Sequence, residues 1–183
     1  MPIRRRLTPS EERLFLAKKF AKDLEKIYGS GLRAVFVCGS VAANLALPDS
    51  DIDMVTVVDN HSEANTKLVD ELFKTKQYSS LPMGNFIIPT ENFEAIRESP
   101  TPEECEKKPI LKYWPRIKRL LEDGAVPVFG GKNYLKKFLG VSFNYPSRKK
   151  IMARLLELYR DPNRKNSSIK KLKLARKKGF PRF

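Results

Sequence analysis

Residues 35–58 read VFVCGSVAANLALPDSDIDMVTVV. An apolar run stops at Gly39-Ser40, a short Ala/Leu-rich piece follows, Pro48-Asp49-Ser50 turns the chain, and Asp51-Ile52-Asp53 opens a second apolar run. The runs predict strands near 32–38 and 51–58, with a short helix between them. Gly39 and Ser40 then close a strand and open a helix, where backbone N–H groups and the helix dipole favour an anion and a residue without Cβ permits close approach. Asp51 and Asp53 are one residue apart on a strand, so both point to one face while Ile52 points into the core. Carboxylates side by side repel. A hard divalent cation, Mg²⁺ or Mn²⁺, removes that cost by accepting their oxygens, with a triphosphate supplying further ligands. The chemistry implied is in-line phosphoryl transfer. The plainer reading is a polar turn with solvated aspartates and Ser40 as a simple helix cap. Either half of the pattern alone would favour that reading, whereas both halves in one stretch favour the site.

Outward from this segment the elements alternate. Thr8-Pro9-Ser10-Glu11 supplies an N-cap hydroxyl, a proline at the first helical position and a carboxylate three residues after the cap, predicting an amphipathic helix that ends near Gly29 and Gly31. Helical spacing recurs from Ser62 to about Tyr78, and Phe86-Ile87-Ile88 reads as a third strand closed by Pro89. Ser99–Glu106 reads as a Pro- and Glu-rich connection. The next helix carries Leu111, Trp114, Ile117 and Leu121 on one stripe, with Pro115 as an expected interruption, and Val126–Phe129 suits a short edge strand. Two helices, from Ser147 to Tyr159 and from Ser168 to Lys178, close the chain. The fold class expected is α/β (α+β): a short mixed sheet flanked by helices, with a basic helical C-terminal extension.

Cys38-Gly39-Ser40 followed after about ten residues by Asp51-Ile52-Asp53 resembles the signature of the nucleotidyltransferase superfamily that contains DNA polymerase beta and small stand-alone nucleotidyltransferase domains. The resemblance covers residues 30–90. It implies Gly39 and Ser40 as nucleotide-phosphate contacts, Asp51 and Asp53 as catalytic metal ligands, Mg²⁺ or Mn²⁺ as cofactor, and transfer of a nucleoside monophosphate from an NTP to an acceptor. Family enzymes also carry a third carboxylate on a later strand. In Met83-Gly84-Asn85-Phe86 the matching position reads as Asn85, an amide that can neither supply the charge nor take the proton. Glu91 and Glu94 are the acids nearest in sequence that could replace it. Three functions stay open: transfer to an acceptor such as a nucleic acid, a catalytically weak or inactive RNA- or ribonucleoprotein-binding relative, and modification of a small molecule or protein.

The chain has 183 residues and a formal net charge of +15. Residues 1–147 carry 22 Lys+Arg against 19 Asp+Glu, whereas residues 148–183 carry 14 against 2. That division gives the expected organisation: a nucleotidyltransferase-like domain at 1–147 and a basic extension at 148–183, which would attract a nucleic acid or an acidic protein partner. Just before the extension, Tyr134, Phe138 and Tyr145 lie among Lys132, Lys136, Lys137, Arg148, Lys149 and Lys150, an interleaving suited to base stacking or to the core. Two cysteines and one histidine exclude a disulfide scaffold and a zinc cluster. The chain has no signal-peptide h-region and no long uncharged apolar run, so an intracellular, cytoplasmic protein without a transmembrane segment is expected.

Overall fold

In the computed structural model, which describes residues 6–90, 101–107, 109–130 and 147–180, Thr8 caps helix α1 (Pro9–Tyr28) with the expected box. Its hydroxyl accepts from the Glu11 N–H, and Glu11 Oε2 accepts from the Thr8 N–H at 2.8 Å. Helix α1 buries Ala17, Phe20, Ala21 and Leu24, the apolar stripe expected of it.

Strand β1 (Leu32–Val37) is central. It pairs antiparallel with β2 (Ile52–Val58) on one side and with β4 (Val126–Gly130) on the other, while β3 (Met83–Pro89) runs parallel to β2, giving the order β3-β2-β1-β4. The sheet is mixed, as the sequence predicts. The parallel β2–β3 pair needs a crossover, and α3 (Glu63–Lys74), capped by Ser62, supplies it. Helix α3 stops at Lys74, short of Tyr78, because the chain turns at Thr75; Tyr78 is nonetheless buried, and its hydroxyl donates to Asp23 Oδ2 at 2.7 Å.

The sheet separates two apolar layers. Ile52, Met54 and Val58 pack with Val35 and Val37 against α1. Val55 and Val57 pack with Ala34, Phe36 and Ile88 against α5 (Trp114–Asp123), through Trp114, Ile117 and Leu121. Full burial of side chains as large as Phe36 or Ile52 is worth about 1.5–3 kcal/mol each.

Two local expectations change. Pro115 starts α5 rather than interrupting it, because a proline's missing N–H costs nothing in the first turn; a 3₁₀ turn, Pro109–Tyr113, precedes it. The Pro- and Glu-rich connection contains a short helix, α4 (Pro102–Lys107), opened by Thr101 and Glu104 bonding each other's N–H groups.

Helices α6 (Arg148–Arg160) and α7 (Lys165–Lys177) form the basic C-terminal pair. They do not trail away from the sheet. Ile151, Met152, Leu155 and Ala175 gather around Leu45, which follows the one-turn helix α2 (Gly39–Ala42). No helix among the described residues is long and apolar enough to cross a membrane.

Candidate functional site

The Gly39 turn is built against Asp53. Cys38 N–H donates to the Asp53 carbonyl at 2.8 Å, and Gly39 has φ +64°. A Cβ on Gly39 would stand 2.9 Å from Asp53 Oδ2, so only glycine lets the turn close on this carboxylate. Cys38 is buried in the sheet, and burial pushes its thiol well above the ordinary range, which makes it inert packing. Ser40 is not the cap of α2. Cys38 holds that position without a side-chain bond, while Ser40 lies inside the turn and its carbonyl accepts from Leu45 N–H at 2.8 Å.

The turn before Asp51 is held from α1. Arg13, 2% exposed, donates through Nε to Ser50 O at 2.7 Å, through Nη2 to Pro48 O at 2.6 Å and through Nη1 to Pro9 O at 3.2 Å. Ser10 Oγ accepts from Ala46 N–H, and Ser50 Oγ accepts from Leu47 N–H at 2.9 Å. Sequence reasoning missed Arg13 and Ser10. The signal was present: Arg13 falls on the same helical stripe as Ala17, Phe20 and Leu24, where a charge needs a buried partner.

Asp51 and Asp53 open into a cleft of about 280 Å³, lined also by Gly39, Ser40, Arg116 and Lys171. The four residues singled out in the sequence therefore share one cavity. Ile52 points the other way, as alternation requires. Burial and the adjacent Asp51 raise the Asp53 carboxyl above its usual range, while Arg116, Lys171 and Arg164 oppose the rise. Arg116 Nη2 lies 3.8 Å from Asp53 Oδ1, its guanidinium 5.3 Å from the centre of the Phe86 ring. Lys171 enters from α7. Burial lowers its pKa, and Asp51, Asp53 and Asp49 counter that effect.

Asn85 is not the position opposite the aspartates. In the β2–β3 register Asp53 stands beside Gly84 and Met54 beside Asn85, so Asn85 points to the α1 side, where its Oδ1 accepts from Thr56 Oγ at 2.8 Å. A Cβ on Gly84 would lie 3.8 Å from Asp53 Oδ1, and the next residue of β3 on this face is Phe86. On this face of β3 the positions where an acid would stand are thus a glycine and a phenylalanine. Glu91 and Glu94 lie outside the described residues, as do Tyr134, Phe138, Tyr145, Lys132, Lys136 and Lys137. The remaining carboxylate in the cleft, Asp123, has Arg154 Nε at 3.9 Å.

Among the described residues no three His, Cys, Asp or Glu side chains come together as metal ligands. Two aspartates with a guanidinium at 3.8 Å do not fit a two-ion transfer centre, which needs carboxylate oxygens on both sides of the ions.

Fold, Gly-Ser turn and aspartate pair together define a class. The chain belongs to the nucleotidyltransferase domain family, whose model matches residues 17–124. It is similar to a toxin-antitoxin crystallised with AMP-PNP, at 11% identity and TM-score 0.40, over 83% of this chain and 97% of that one. It is also similar to a spectinomycin adenyltransferase from Enterococcus faecialis, solved with ATP and spectinomycin, at 17% identity and TM-score 0.48, over 82% of this chain and 68% of that one. No match is found among curated proteins.

Proposed function

We propose that the chain holds a nucleoside triphosphate in the cleft, its phosphates against Gly39 and Ser40 and near Asp51 and Asp53, and that transfer of the nucleoside monophosphate is weak or absent. In this reading the nucleotidyltransferase-like domain at 1–147 supplies the Gly-Ser turn and the aspartates, and the basic extension at 148–183, whose Lys171 also lines the cleft, holds RNA or a ribonucleoprotein. The observation that carries it is the β2–β3 register, which sets Gly84 beside Asp53, with Phe86 the next residue of β3 on that face, where a transferase needs a third carboxylate. The exposed Lys149, Lys165, Lys170, Lys173 and Lys177 support the polyanion part, since phosphate contacts through such side chains give salt-dependent affinity.

Active transfer is the second reading, favoured by Gly39, Ser40, Asp51 and Asp53 lining one cleft. Its acceptor is a hydroxyl or phosphate of a nucleic acid, a small molecule or a protein. The deciding experiment incubates the chain and an Asp51→Ala/Asp53→Ala variant with each labelled NTP, Mg²⁺ or Mn²⁺ and mixed acceptors, alongside nucleotide and RNA binding. The expected result is nucleotide binding, RNA binding that weakens with salt, and no label incorporation above the double variant. Incorporation that the double variant loses replaces this reading with an active transferase.

A further inference from the structure

The cleft carries cations of its own. Four basic side chains line it: Arg116 from α5, Arg154 from α6, Arg164 from the turn between the last two helices, and Lys171 from α7. They are not equivalent. Arg154 pairs with Glu157 at 2.6 Å and stands 3.9 Å from Asp123, and Arg164 lies 3.8 Å from Asp161, so both have acids of their own. Arg116, by contrast, pairs with Asp53, and Lys171 lines the same cleft as Asp51 and Asp53, whose charges act on it. The two come from different helices.

The Asp51–Asp53 pair needs a countercharge, because neighbouring carboxylates in a partly buried cleft repel and burial raises the cost of each charge. A metal ion normally supplies it. Here a guanidinium, backed by the face of Phe86, stands at the Gly84 edge of the pair, and an ammonium lies in the same cleft. Gly84 brings no third carboxylate to hold an ion against them. Guanidinium and ammonium groups also donate hydrogen bonds to phosphate oxygens, so the same two side chains can neutralise the aspartates and present donors to a polyphosphate. Given the nucleotide-binding reading above, on which this step rests, we propose that Arg116 and Lys171 are built-in counter-cations for Asp51 and Asp53, so that the cleft binds the polyphosphate of a nucleoside triphosphate without a divalent metal ion.

The test is isothermal titration of the full chain with ATP, GTP, CTP and UTP, once in EDTA and once in Mg²⁺. The tightest nucleotide is expected to bind in EDTA within about threefold of its affinity in Mg²⁺. An Arg116→Gln/Lys171→Gln variant, folded by circular dichroism, is expected to lose about tenfold or more in EDTA and to regain part of that in Mg²⁺. Manganese EPR supplies a readout without nucleotide. The unaltered chain should leave the free Mn²⁺ signal intact, and the double variant should diminish it as the aspartates become available. Nucleotide binding that appears only with Mg²⁺, or Mn²⁺ uptake by the unaltered chain that Asp51→Asn/Asp53→Asn abolishes, overturns the metal-independent role while sparing nucleotide binding. Failure to bind any nucleotide in either buffer overturns the nucleotide-binding reading itself, and this step with it.

Discussion

The Arg13 guanidinium donates to the Ser50 carbonyl at 2.7 Å, fastening helix α1 to the residue just before Asp51. With Pro48 and Pro9 as further acceptors, three carbonyls close around one buried cation. Arg13→Ala leaves the buried Ser50 oxygen without this donor. The expected cost is about 2–4 kcal/mol of unfolding free energy, read from urea denaturation. Arg13→Lys should recover only part of it, because one ammonium cannot reproduce the fork that reaches Ser50 and Pro48 together. An unfolding midpoint unchanged in both variants would remove the clamp from the account.

Gly39→Ala tests the close approach of the turn to Asp53. Alanine in a left-handed conformation costs about 1–2 kcal/mol. Its Cβ, 2.9 Å from Asp53 Oδ2, must also drive the carboxylate away. Nucleotide affinity should therefore fall by more than the loss of stability explains, measured by titration well below the melting temperature. Unchanged affinity in a destabilised protein would show that the turn has no share in the site.

Gly84→Asp supplies the carboxylate that β3 lacks. Ordinary contact distance separates the new Cβ from Asp53 Oδ1, and Gly84 is exposed, so the substitution fits without repacking. The variant should bind Mn²⁺ about tenfold or more tightly than the unaltered chain by EPR titration. It should also be slightly less stable without metal, because a third acid adds repulsion. Equal Mn²⁺ affinities would count against Gly84 as the vacant ligand position.

His61 links α1 to α3 and gives stability a pH dependence. Tyr28 stays protonated, its pKa pushed up to about 12 by burial, and its hydroxyl lies 2.8 Å from His61 Nδ1. Thr66 Oγ donates to Ser62 O, so it accepts from His61 Nε2–H, and the network assigns a single neutral tautomer. Burial lowers the pKa of this ring below its ordinary 6.5. The unfolded chain therefore takes up the proton first. Stability from this source is complete above the unfolded value and is lost as pH falls through the lower folded one. Thermal melts between pH 8 and pH 5 should show the loss in the unaltered chain and less of it in His61→Gln. Parallel curves for the two proteins would contradict this assignment.

Alternation and spacing made the central architecture legible. A strand, Gly-Ser, a short helix, a turn and an Asp-Ile-Asp strand stand in that order, and both aspartates face one cleft. Register was not legible. Side chains alternate with a period of two, so choosing Asn85 rather than Gly84 moves the reading to the opposite face of the sheet, and nothing inside Met83–Pro89 states which residue neighbours Asp53. Arg13 was legible as a charge on the apolar stripe of α1, but its partners were not. A charge on a helix is usually solvated, and its partners are backbone carbonyls some 35 residues away, which carry no residue-type signal. The fate of the net charge also needed the fold: Lys171 looks like any lysine of a basic helix until Leu45 draws that helix over the aspartates.

The docking of the C-terminal helices on Leu45 has a thermodynamic consequence. A ligand that touches Ser40 and Lys171 together bridges parts of the chain about 130 residues apart, so it acts as a reversible cross-link. Among the described residues a small apolar cluster around Leu45 and the bond from Lys178 Nζ to Asn44 O already join those parts. Amide hydrogen exchange in the last two helices would then slow as nucleotide fills the cleft, reporting occupancy far from Asp51 in the sequence.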